Sequence, residues 1–557
     1  MMKQAELVFV PLGGVGEIGM NLAMYGYGPK HDREWIMVDL GVTFPGADLP
    51  GVDLVLPDIR FAIELGDRLK AIIITHAHED HYGAILSLWP LLQKPIYCTP
   101  FTSGMLEAKA VYEAEAPTLP INLYEAGKKF TIGSFEIEPV WVTHSIPEPV
   151  SLAIKTPLGT ILHTGDWKID AAPSLGGPTD EKAFTRLGDE GVLALICDST
   201  NAMREGESPT EVSVSESLAV LIKDSPGRVA ITTFSSNVGR IRSIARAAAT
   251  AGRKCMLMGS SIRRVVDVAT DLGYFDDMPD FIQEDEFAST DRREIVIILT
   301  GSQGENRAAL AKISREEHKF VHLVPGDRVV FSSRTIPGNE KPIIEIENRL
   351  IEMGVDIITS DDTLVHVSGH PRRTELKMMY DWTRPEILIP VHGETAHLVA
   401  HAKLAGEHGI PSVVPTRNGD MVRLAPGNPE IIDNVPFGRI FKDGHIIDEE
   451  AAIGVVERRR LAYAGHVAVS IVLDRKGRLA DDIDIVLQGM PDATPSGDSF
   501  EDLLYETAIG SIKSIPAGKR KNEEMVREAV RRAVRATARD HWGKRPVTTV
   551  FVAKVKE

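Results

Sequence analysis

Cysteine is scarce in this sequence: the 557 residues include three, and they stand far apart at Cys98, Cys197 and Cys255. No two of them form a Cys-x-x-Cys pair, so no disulfide framework is expected and no thiolate competes for metal. This scarcity predicts a protein of a reducing compartment, and we expect it in the cytoplasm.

Long apolar runs are also missing. No stretch approaches the ~20 apolar residues that a helix needs to span a bilayer. Residues 1–6 lead directly into a strand-like segment, without the apolar region of a signal peptide. We therefore expect no membrane association.

Positive charge is in deficit, since 62 Lys and Arg face 79 Asp and Glu, for a formal net charge of −17. This balance argues against a protein that coats nucleic acid nonspecifically. It does not exclude an enzyme whose cleft is made locally positive by bound metal. At about 150 residues per domain, the length predicts roughly three domains.

The sequence does contain a run of candidate metal ligands directly after an apolar segment. Residues 71–75 have the composition of a buried strand, and His76, His78, Asp80 and His81 follow within one short turn. Imidazole and carboxylate suit zinc or manganese. The alternative, a polar surface turn, explains one histidine better than three around an aspartate.

Further apolar segments end at single candidate ligands, and a rigid sheet can hold such strand-end side chains in place. For any one of them alone, a structural histidine or a turn aspartate is an equally good interpretation, but their repetition favours a shared metal site. The segments and the residues at which they end are 140–143 with His144, 159–165 with Asp166, and 386–391 with His392.

A glycine-rich segment near the start matches the Gly-x-Gly-x-x-Gly pattern of dinucleotide sites at residues 14–19, with Asp39 following 20 residues later. A Rossmann unit needs a helix directly after the glycines, whereas Gly26, Gly28 and Pro29 predict a hairpin. We therefore expect no dinucleotide site.

A long segment separates Asp166 from His392, which lies 226 residues later. Strands predicted at 229–234, 294–299 and 328–331, together with a helix at 240–251, indicate a separate α/β unit with a mainly parallel sheet. Ligands of such sheets bind where the strands end. The polar residues there suit phosphate oxygens, although ordinary loop chemistry explains each cluster taken singly: Ser235, Ser236, Asn237 and Arg334.

Three motifs link this insertion to a known pattern: residues 198–200 (Asp-Ser-Thr), residues 366–370 (His-Val-Ser-Gly-His) and His392. They resemble the acidic, second and third motifs of the β-CASP branch of the metallo-β-lactamase superfamily, which cleaves nucleic acids. Histidine at the third motif is typical of RNA-cleaving members, whereas DNA-cleaving members typically have valine. Along nearly its whole length the chain is similar to the bacterial ribonuclease J family. The other supporting segments are 13–19, 75–83, 143–147, 163–166, 300–305 and 336–340.

The resemblance implies an αββα sandwich with an inserted α/β β-CASP domain and a small α+β C-terminal domain. Two departures from the family pattern, Pro371 and the pair at 306–307, touch no ligand. The implied boundaries are 1–205 and 364–430 for the metallo-β-lactamase domain, 206–363 for the β-CASP domain, 431–460 for a linker and 461–557 for the C-terminal domain.

The resemblance also implies two divalent ions per subunit, Zn²⁺ or Mn²⁺, with Mg²⁺ as a third candidate. Asp39 and Asp198 would orient ligands from outside the metal shells. The implied division is His76, His78 and His144 for one ion, Asp80, His81 and His392 for the other, and Asp166 bridging both.

The implied activity is hydrolysis of RNA phosphodiester bonds, in which two ions about 3.5–4 Å apart share a water and clamp the scissile phosphate. The products carry a 5′-phosphate and a 3′-hydroxyl. His370, supported by His366, would stabilise the pentavalent phosphate or protonate the leaving oxygen, and Asp80 would also serve in catalysis. A purely structural His366 is the alternative.

A 5′-to-3′ exonuclease activity on 5′-monophosphorylated single-stranded RNA, beside endonuclease activity, is a further implication, with a role in RNA maturation and decay. It requires a pocket for the terminal phosphate. The expected partners are a second or further copies in a homodimer or homotetramer, and an RNA degradation complex. The residues expected at the pocket are Ser235, Ser236, Asn237, Arg334, His366, Val367, Ser368, Gly369 and His370.

The C-terminal part predicts strands at 466–472, 483–487 and 547–555 and helices at 500–512 and 522–539. Residues 519–545 carry ten basic and four acidic side chains. Contact with RNA or with another subunit and a merely solvated helix face are equally good interpretations of this charge. Two other functions stay open for the whole chain: a small-molecule hydrolase of the same superfamily, and a silent scaffold subunit.

Overall fold

The computed structural model describes residues 4–113, 115–336 and 338–555, which form an α/β protein. Pro337, part of one of the supporting segments, and residues 1–3 lie outside this range. None of the helices within the described residues combines the length and apolarity needed to cross a membrane. The chain divides into two compact units, residues 1–43 with 56–439, and residues 44–55 with 440–557.

The first sheet of the larger unit contains the N-terminal strands and the strand that precedes the histidine-rich turn. The hairpin predicted after the glycine-rich segment is confirmed, because Leu22–Pro29 pairs antiparallel with Glu34–Val38. In spatial order the strands are Glu430–Asn434, Asp420–Ala425, Ala5–Gly13, Leu22–Pro29, Glu34–Val38, Leu69–Ile73, Ile96–Cys98 and Ile121–Leu123.

The second sheet contains the strands that end at the other candidate ligands. Two of its central strands, Ala194–Asp198 and Ile387–Val391, are continuous apolar runs that pair in parallel, as expected for strands covered on both faces. In spatial order the strands are Ser412–Val413, Ile387–Val391, Ala194–Asp198, Gly159–His163, Val150–Thr156, Phe135–Trp141 and Phe130–Ile132.

The two sheets share one hydrophobic core. Phe9 and Ile36 of the first sheet belong to the same buried cluster as Ile137, Leu152 and Ile389 of the second. This burial of apolar side chains between facing sheets is what holds the ends of their strands in register.

Helices cover the outer faces of the sandwich. Phe184, Leu376 and Leu404 come from three helices that pack on the second sheet, and Trp35 of the first sheet contacts Phe61 of a helix edge-on. The predicted αββα sandwich is thereby confirmed. Its helices are Arg60–Leu65, Glu79–Tyr82, Ile85–Leu92, Pro100–Ala110, Glu181–Glu190, Arg373–Thr383 and Thr395–His408, with a 3₁₀ turn at Gly66–Arg68.

The insertion between the ligands is a parallel sheet flanked by helices, as predicted. Two of its strands, Lys254–Met258 and Asp356–Ile358, were not predicted; both lie at sheet edges. The strands in spatial order are Lys254–Met258, Ile295–Leu299, Val229–Thr232, Arg328–Phe331 and Asp356–Ile358. The helices are Glu211–Asp224, Val238–Thr250, Ser260–Asp271, Ala309–Ser314 and Glu340–Glu352, with 3₁₀ turns at Glu284–Ala288 and Arg292–Glu294.

A topological switch point lies at the centre of the inserted sheet. Val229–Thr232 and Arg328–Phe331 are neighbours, but the chain leaves the first toward one edge and the second toward the other. The crevice beyond the carboxyl ends of two such strands is where ligands bind in open α/β sheets. Residues 233–237 and 332–334 follow these ends.

The smaller unit has its own core. In the helix Glu523–Trp542, Val526, Val530 and Val534 form a buried stripe that packs with Leu504 of the preceding helix and Val469 of the sheet. The pairing His466–Leu473 with Val547–Lys554 is parallel and that with Asp484–Gln488 is antiparallel. The helices are Val455–Ala464, Phe500–Ser514 and Glu523–Trp542.

The segment 431–460, expected to be a linker, contains regular structure. Glu430–Asn434 pairs with Asp420–Ala425, and Arg439–Asp443 pairs with Ile446–Asp448, before the helix Val455–Ala464 begins. Most side chains of Glu430–Asn434 are exposed, so the segment shows little of the apolar alternation that identifies a strand. Two short strands outside the main sheets are Val15–Gly16 and Gly393–Glu394, and a further strand is Leu54–Pro57.

Candidate metal centre

The histidine-rich turn is anchored by Asp39, which directly follows the strand Glu34–Val38. The Asp39 carboxylate accepts hydrogen bonds from the Thr75 backbone amide at 2.8 Å and from the Thr75 hydroxyl at 2.9 Å. Because Glu34–Val38 and Leu69–Ile73 are parallel neighbours, the two strands end at the same edge of the sheet. The turn therefore begins at a fixed point, and His76 to His81 leave the sheet from there.

A first set of ligand atoms surrounds one point in space. His78 Nδ1 lies 3.1 Å from His76 Nε2 and 3.0 Å from His144 Nε2, and Asp166 Oδ2 lies 3.7 Å and 3.6 Å from the same atoms of His76 and His144. Tetrahedral zinc with bonds of about 2.0–2.1 Å separates its ligands by roughly 3.3 Å. These four side chains therefore have the spacing of a metal shell.

A second set lies on the other side of Asp166. His81 Nε2 is 3.2 Å and His392 Nε2 is 3.5 Å from Asp166 Oδ1, and Asp80 Oδ2 is 3.6 Å and 3.7 Å from the same two nitrogens. The structure thus brings together all seven residues that the sequence analysis proposed as ligands, in the two groups that it proposed.

Asp166 is the residue that the two sets share, and each of its oxygens faces one of them. Its Oδ1 atom is buried and has no hydrogen-bond partner among the described residues. A buried carboxylate oxygen without a partner is costly, and a divalent cation supplies the missing interaction. The donor atoms present therefore fit a pair of divalent ions.

Burial keeps the first set in the form that binds metal. It lowers the pKa of His76 and His78 well below the usual value and that of His144 to about 4, so these imidazoles are neutral near pH 7, as metal ligation requires. Around the second set, burial opposes the charged form of His81 and His392, but the surrounding carboxylates, with Asp166 the strongest, together outweigh it and raise the pKa of both. The negative charge concentrated there favours a cation.

The ligands are oriented by hydrogen bonds on their far sides. His81 Nδ1 donates to Asp39 Oδ2 at 2.7 Å, and His144 Nδ1 donates to the Gly369 carbonyl at 2.7 Å. Each bond fixes the tautomer that leaves Nε2 free for a metal. A Cβ atom on Gly369 would lie 2.5 Å from the His144 ring, so only glycine can bring its carbonyl this close.

Two residues at the centre hold strained backbone conformations. Asp39 and His392 have φ angles of 62° and 52°, in the left-handed region that residues with a side chain seldom adopt. Such strain concentrates at functional sites because the surrounding structure compensates for it. His392 follows the strand Ile387–Val391, and its Nδ1 atom is buried without a partner among the described residues.

His370 forms a pair with Asp198 next to the ligands. Its Nδ1 atom lies 2.7 Å from Asp198 Oδ2, while Asp198 Oδ1 accepts hydrogen bonds from the Thr200 amide and hydroxyl. Burial opposes the charged form of His370, but Asp198 and Asp166 outweigh it and raise its pKa to about 9. A protonated imidazole whose Nε2 is not held by Asp198 is suited to proton donation.

His366, the other histidine of that motif, belongs to a different environment. It is buried, with an unpartnered Nδ1 atom among the described residues and a ring contact with Phe234. Burial, followed by the charges of Arg240 and Arg334, lowers its pKa well below the usual value. His366 is not among the groups that could hold a metal.

The residues expected at the 5′-phosphate pocket have unequal positions. Ser236 is the best placed, because its hydroxyl lies 3.1 Å from His78 Nε2, and Ser235 beside it is half-buried. The Asn237 side-chain oxygen instead caps the helix Val238–Thr250 by accepting from the Arg240 amide. The cap uses the oxygen, so the side-chain nitrogen is the atom of Asn237 that can donate to a phosphate.

The loop at 367–369 offers mainly its backbone. Val367 is buried, and the Ser368 hydroxyl accepts a hydrogen bond from the Asn201 side chain at 2.9 Å. Arg334 is exposed and donates to the Asn201 side-chain oxygen at 3.3 Å. The Arg334 side chain therefore contacts Asn201.

Two asparagines at the centre were missed by the sequence analysis. The Asn21 side-chain nitrogen lies 3.0 Å from His81 Nε2 and 3.3 Å from Asp80 Oδ2. Asn201 donates to the Ser368 hydroxyl and to the His370 carbonyl. Asn201 directly follows the motif at 198–200, and this adjacency is the signal that could have identified it, whereas Asn21 belongs to no motif or strand-end pattern.

Comparison with protein families supplies matches over most of the chain. Residues 35–180 match the beta-lactamase superfamily domain and residues 354–415 the Zn-dependent metallo-hydrolase RNA specificity domain. Residues 226–350 match the beta-CASP domain of ribonuclease J and residues 453–555 the ribonuclease J C-terminal domain.

Individual relatives match along nearly the full length. A protein named ribonuclease J from Sinorhizobium meliloti is 60% identical over 555 residues, which cover 100% of this chain and 98% of the relative. A ribonuclease J from Mycolicibacterium smegmatis is 36% identical, with 98% and 96% of the two chains covered. A crystal structure of a protein of unknown function from Enterococcus faecalis V583 has the same fold, with a TM-score of 0.52, 15% identity, and 75% and 100% coverage.

Proposed function

This chain belongs to the ribonuclease J family and is a metal-dependent ribonuclease, and from that premise we propose that it degrades single-stranded RNA from the 5′ end. The proposed activity is a 5′-to-3′ exonuclease on 5′-monophosphorylated RNA, accompanied by endonucleolytic cutting, in RNA maturation and decay in the cytoplasm. The proposed domain boundaries are those drawn from the sequence, with the segment 431–460 as a structured connection rather than a plain linker.

The proposed metal centre holds two divalent ions, with Zn²⁺ and Mn²⁺ as the leading candidates and Mg²⁺ as the third. His76, His78 and His144 would hold one ion, Asp80, His81 and His392 the other, and Asp166 both. When bound, such a pair of ions supplies an activated water at neutral pH and neutralises charge on the phosphate. Asp39 positions His81, the Gly369 carbonyl positions His144, and both contacts would make the centre rigid before substrate arrives.

His370 is the proposed proton donor of the reaction. Water attacks the phosphorus, the bond from phosphorus to the 3′ oxygen breaks, and this oxygen takes a proton from His370 Nε2. Asp198, bound to Nδ1 at 2.7 Å, keeps the ring in the orientation that presents Nε2 and stabilises its protonated form. The products carry a 5′-phosphate and a 3′-hydroxyl. His366 would act through the buried loop that carries His370.

Ser235 and Ser236 are the proposed donors to the terminal 5′-phosphate. They follow the strand Val229–Thr232 at the switch point of the inserted sheet, the usual position for a ligand. The Ser236 hydroxyl accepts from His78 Nε2, which leaves its own hydrogen free for a phosphate oxygen. A terminal phosphate held there would lie beside the metal ligands, as exonucleolytic cutting requires.

Assembly into a homodimer or homotetramer, and association with an RNA degradation complex, complete the proposal. Four arginines of the helix Glu523–Trp542 pair with carboxylates of the same helix: Arg527 with Glu524, Arg531 and Arg532 with Glu528, and Arg539 with Asp540. This pairing leaves less free positive charge than the sequence suggests, and it favours a subunit interface over RNA contact for this helix.

The observation that carries the proposal is the position of Asp166, with one oxygen toward each set of ligands and Oδ1 unpartnered. The test is cleavage of 5′-monophosphorylated and 5′-triphosphorylated RNA by the purified chain, with and without added Mn²⁺ or Zn²⁺. We expect metal-dependent release of mononucleotides from the monophosphorylated RNA and only internal cuts in the triphosphorylated RNA. Equal degradation of both from their 5′ ends would contradict the proposed 5′-end selection.

A further inference from the structure

Three arginines lie near enough to interact with one another around Asn201, which contacts the His370 loop. They are Arg204, Arg334 and Arg372, here called the arginine cluster. Arg334 donates to the Asn201 side-chain oxygen at 3.3 Å. The Arg204 amide donates to the Asn201 carbonyl at 2.8 Å, and the Arg204 carbonyl accepts from the amide of the residue after Arg372 at 3.0 Å. Asn201 and this backbone pairing therefore gather three side chains from distant parts of the sequence.

The guanidinium groups of the cluster lack a paired carboxylate in the part of the chain that the structure describes, although the chain has 17 more acidic than basic residues. The carboxylate of Glu375 accepts instead from the Arg372 backbone amide at 2.8 Å. Arg372 Nε is buried without a hydrogen-bond partner in the same range. The neighbouring Arg373 differs, because it pairs with Glu205 at 3.0 Å and with Glu407 at 3.7 Å.

The arginines act on one another electrostatically. Partial burial, followed by the charge of Arg372, lowers the pKa of Arg204, and partial burial followed by the charges of Arg204 and Arg372 lowers that of Arg334. Like charges held together without counterions favour an anion that the guanidinium groups can bind in pairs of hydrogen bonds. Arg204 and Arg334 are exposed to solvent, so such an anion can reach them.

The cluster is connected to the candidate catalytic loop through a single side chain. Asn201 donates to the His370 carbonyl at 3.1 Å and to the Ser368 hydroxyl at 2.9 Å, while its oxygen accepts from Arg334. An anion on the cluster would therefore lie close to the bond being cut but not at it. Ser236, the proposed contact of the terminal phosphate, lies instead against His78.

We propose that Arg204, Arg334 and Arg372 form a second phosphate subsite, which binds backbone phosphates of the same single-stranded RNA outside the scissile bond. The proposal rests on the ribonuclease function stated above and deepens it. It assigns Arg334 to this subsite instead of the 5′-phosphate pocket, and it makes the affinity for RNA depend on the length of the strand. RNA too short to reach the cluster loses these contacts. Inorganic phosphate could bind the same guanidinium groups, but it offers a single phosphate. The dependence of affinity on RNA length therefore distinguishes RNA from inorganic phosphate as the ligand.

The test measures binding of a single-stranded RNA of about 12 nucleotides to the full-length chain by fluorescence anisotropy, from about 50 to about 300 mM KCl. EDTA is present because it stops cleavage without affecting contacts between arginine and phosphate. Each arginine–phosphate contact adds about 0.7 to the slope of log K against log salt for a single strand. We expect R204Q and R372Q each to flatten the slope by about that amount, the double variant by about twice as much, and R204K to keep the wild-type slope.

R373Q is the matched control, because Arg373 is adjacent in sequence but already paired with carboxylates, and its slope should equal that of the wild type. Slopes unchanged in R204Q, R372Q and the double variant, with the melting temperature retained, would overturn the proposal. Equal affinity for RNAs of about 3 and about 12 nucleotides, with full competition by inorganic phosphate, would also overturn it. Cleavage of the same RNA with Mn²⁺ is scored separately, so that binding through the cluster without release of mononucleotides contradicts only the proposed exonuclease activity.

Discussion

The sandwich and the inserted domain both contribute to the candidate site, but they hold their side chains in different ways. In the sandwich, most ligands leave strand ends that a shared core fixes, and a second hydrogen bond orients His81 and His144. In the inserted domain, Ser235 and Ser236 follow a strand end and are only half-buried. The contact from His78 Nε2 to the Ser236 hydroxyl joins the two regions.

This difference indicates a division of labour between the two regions. Metal chemistry tolerates little movement of its ligands, which agrees with the burial and the strained backbone of Asp39 and His392. Recognition of a flexible strand needs groups that water and substrate can both reach, as at Ser235 and Ser236. Changes in the sandwich should therefore affect the rate of the chemical step, whereas changes in the insertion should affect which RNA is used.

The largest effect is expected for Asp166→Asn, which removes the one carboxylate among the described residues that faces both sets of ligands. A loss of several kcal/mol in transition-state stabilisation corresponds to a fall in kcat of roughly a thousandfold or more. Metal content by mass spectrometry should fall together with RNA cleavage. Asp381→Asn, at an exposed carboxylate that pairs with His408, serves as the control and should change neither. Retention of full metal content by Asp166→Asn would contradict its bridging role.

His370→Ala should lower kcat by about 10²- to 10⁴-fold, the usual contribution of a general acid, while metal content stays near that of the wild type. Asp198→Asn should lower kcat less, because His370 remains but loses the carboxylate that orients it. Since the two residues act as a unit, the double variant should be no slower than His370→Ala alone. Additive losses in the double variant would indicate that Asp198 acts independently of His370.

The sequence was sufficient to propose the metal ligands that the sandwich carries. His76, His78, Asp80 and His81 stand in one turn after an apolar segment, and periodicity identifies the other strand ends. Such patterns are local, because a strand and the residue that ends it are adjacent in the chain. The family resemblance implied that Asp39 orients the ligands, but not that its partners are His81 and Thr75.

Contacts between residues that lie far apart in the chain could not be predicted from the sequence. Asn201 contacts Ser368 across 167 positions and Asn21 contacts Asp80 across 59. Local patterns do not predict which distant residue either asparagine contacts, even though Asn201 directly follows the motif at 198–200. The edge strand Asp356–Ile358 was missed because three partly exposed residues are too few to show a period. The capping role of Asn237 was also invisible, since hydroxyls and amides after a strand suit phosphates and helix caps equally.

A smaller effect within the sandwich is expected for Asp39→Asn. The variant keeps the size of the side chain but weakens the charge-assisted hydrogen bond to His81 Nδ1. Loss of such an outer contact usually lowers metal affinity by about 10- to 100-fold. Titration of the apoprotein with Zn²⁺ should show weaker binding at one of two sites and unchanged binding at the other, because His81 belongs to one set only. Equal weakening at both sites would mean that Asp39 supports the whole turn rather than this ligand.

The smallest effect is expected in the insertion, for Ser236→Ala. A hydrogen bond to a charged group is worth at least about 1.5 kcal/mol, so the preference for 5′-monophosphorylated over 5′-triphosphorylated RNA should fall by roughly tenfold. Ser289→Ala, at an exposed serine of the same domain, is the control. Metal content distinguishes two roles of the Ser236 hydroxyl, contact with the terminal phosphate and orientation of His78. If the hydroxyl contacts the phosphate, the variant keeps its metals and loses the preference for 5′-monophosphorylated RNA. If it serves only to orient His78, the variant loses metal and retains the preference, and the assignment of substrate selection to the insertion would fail at this residue.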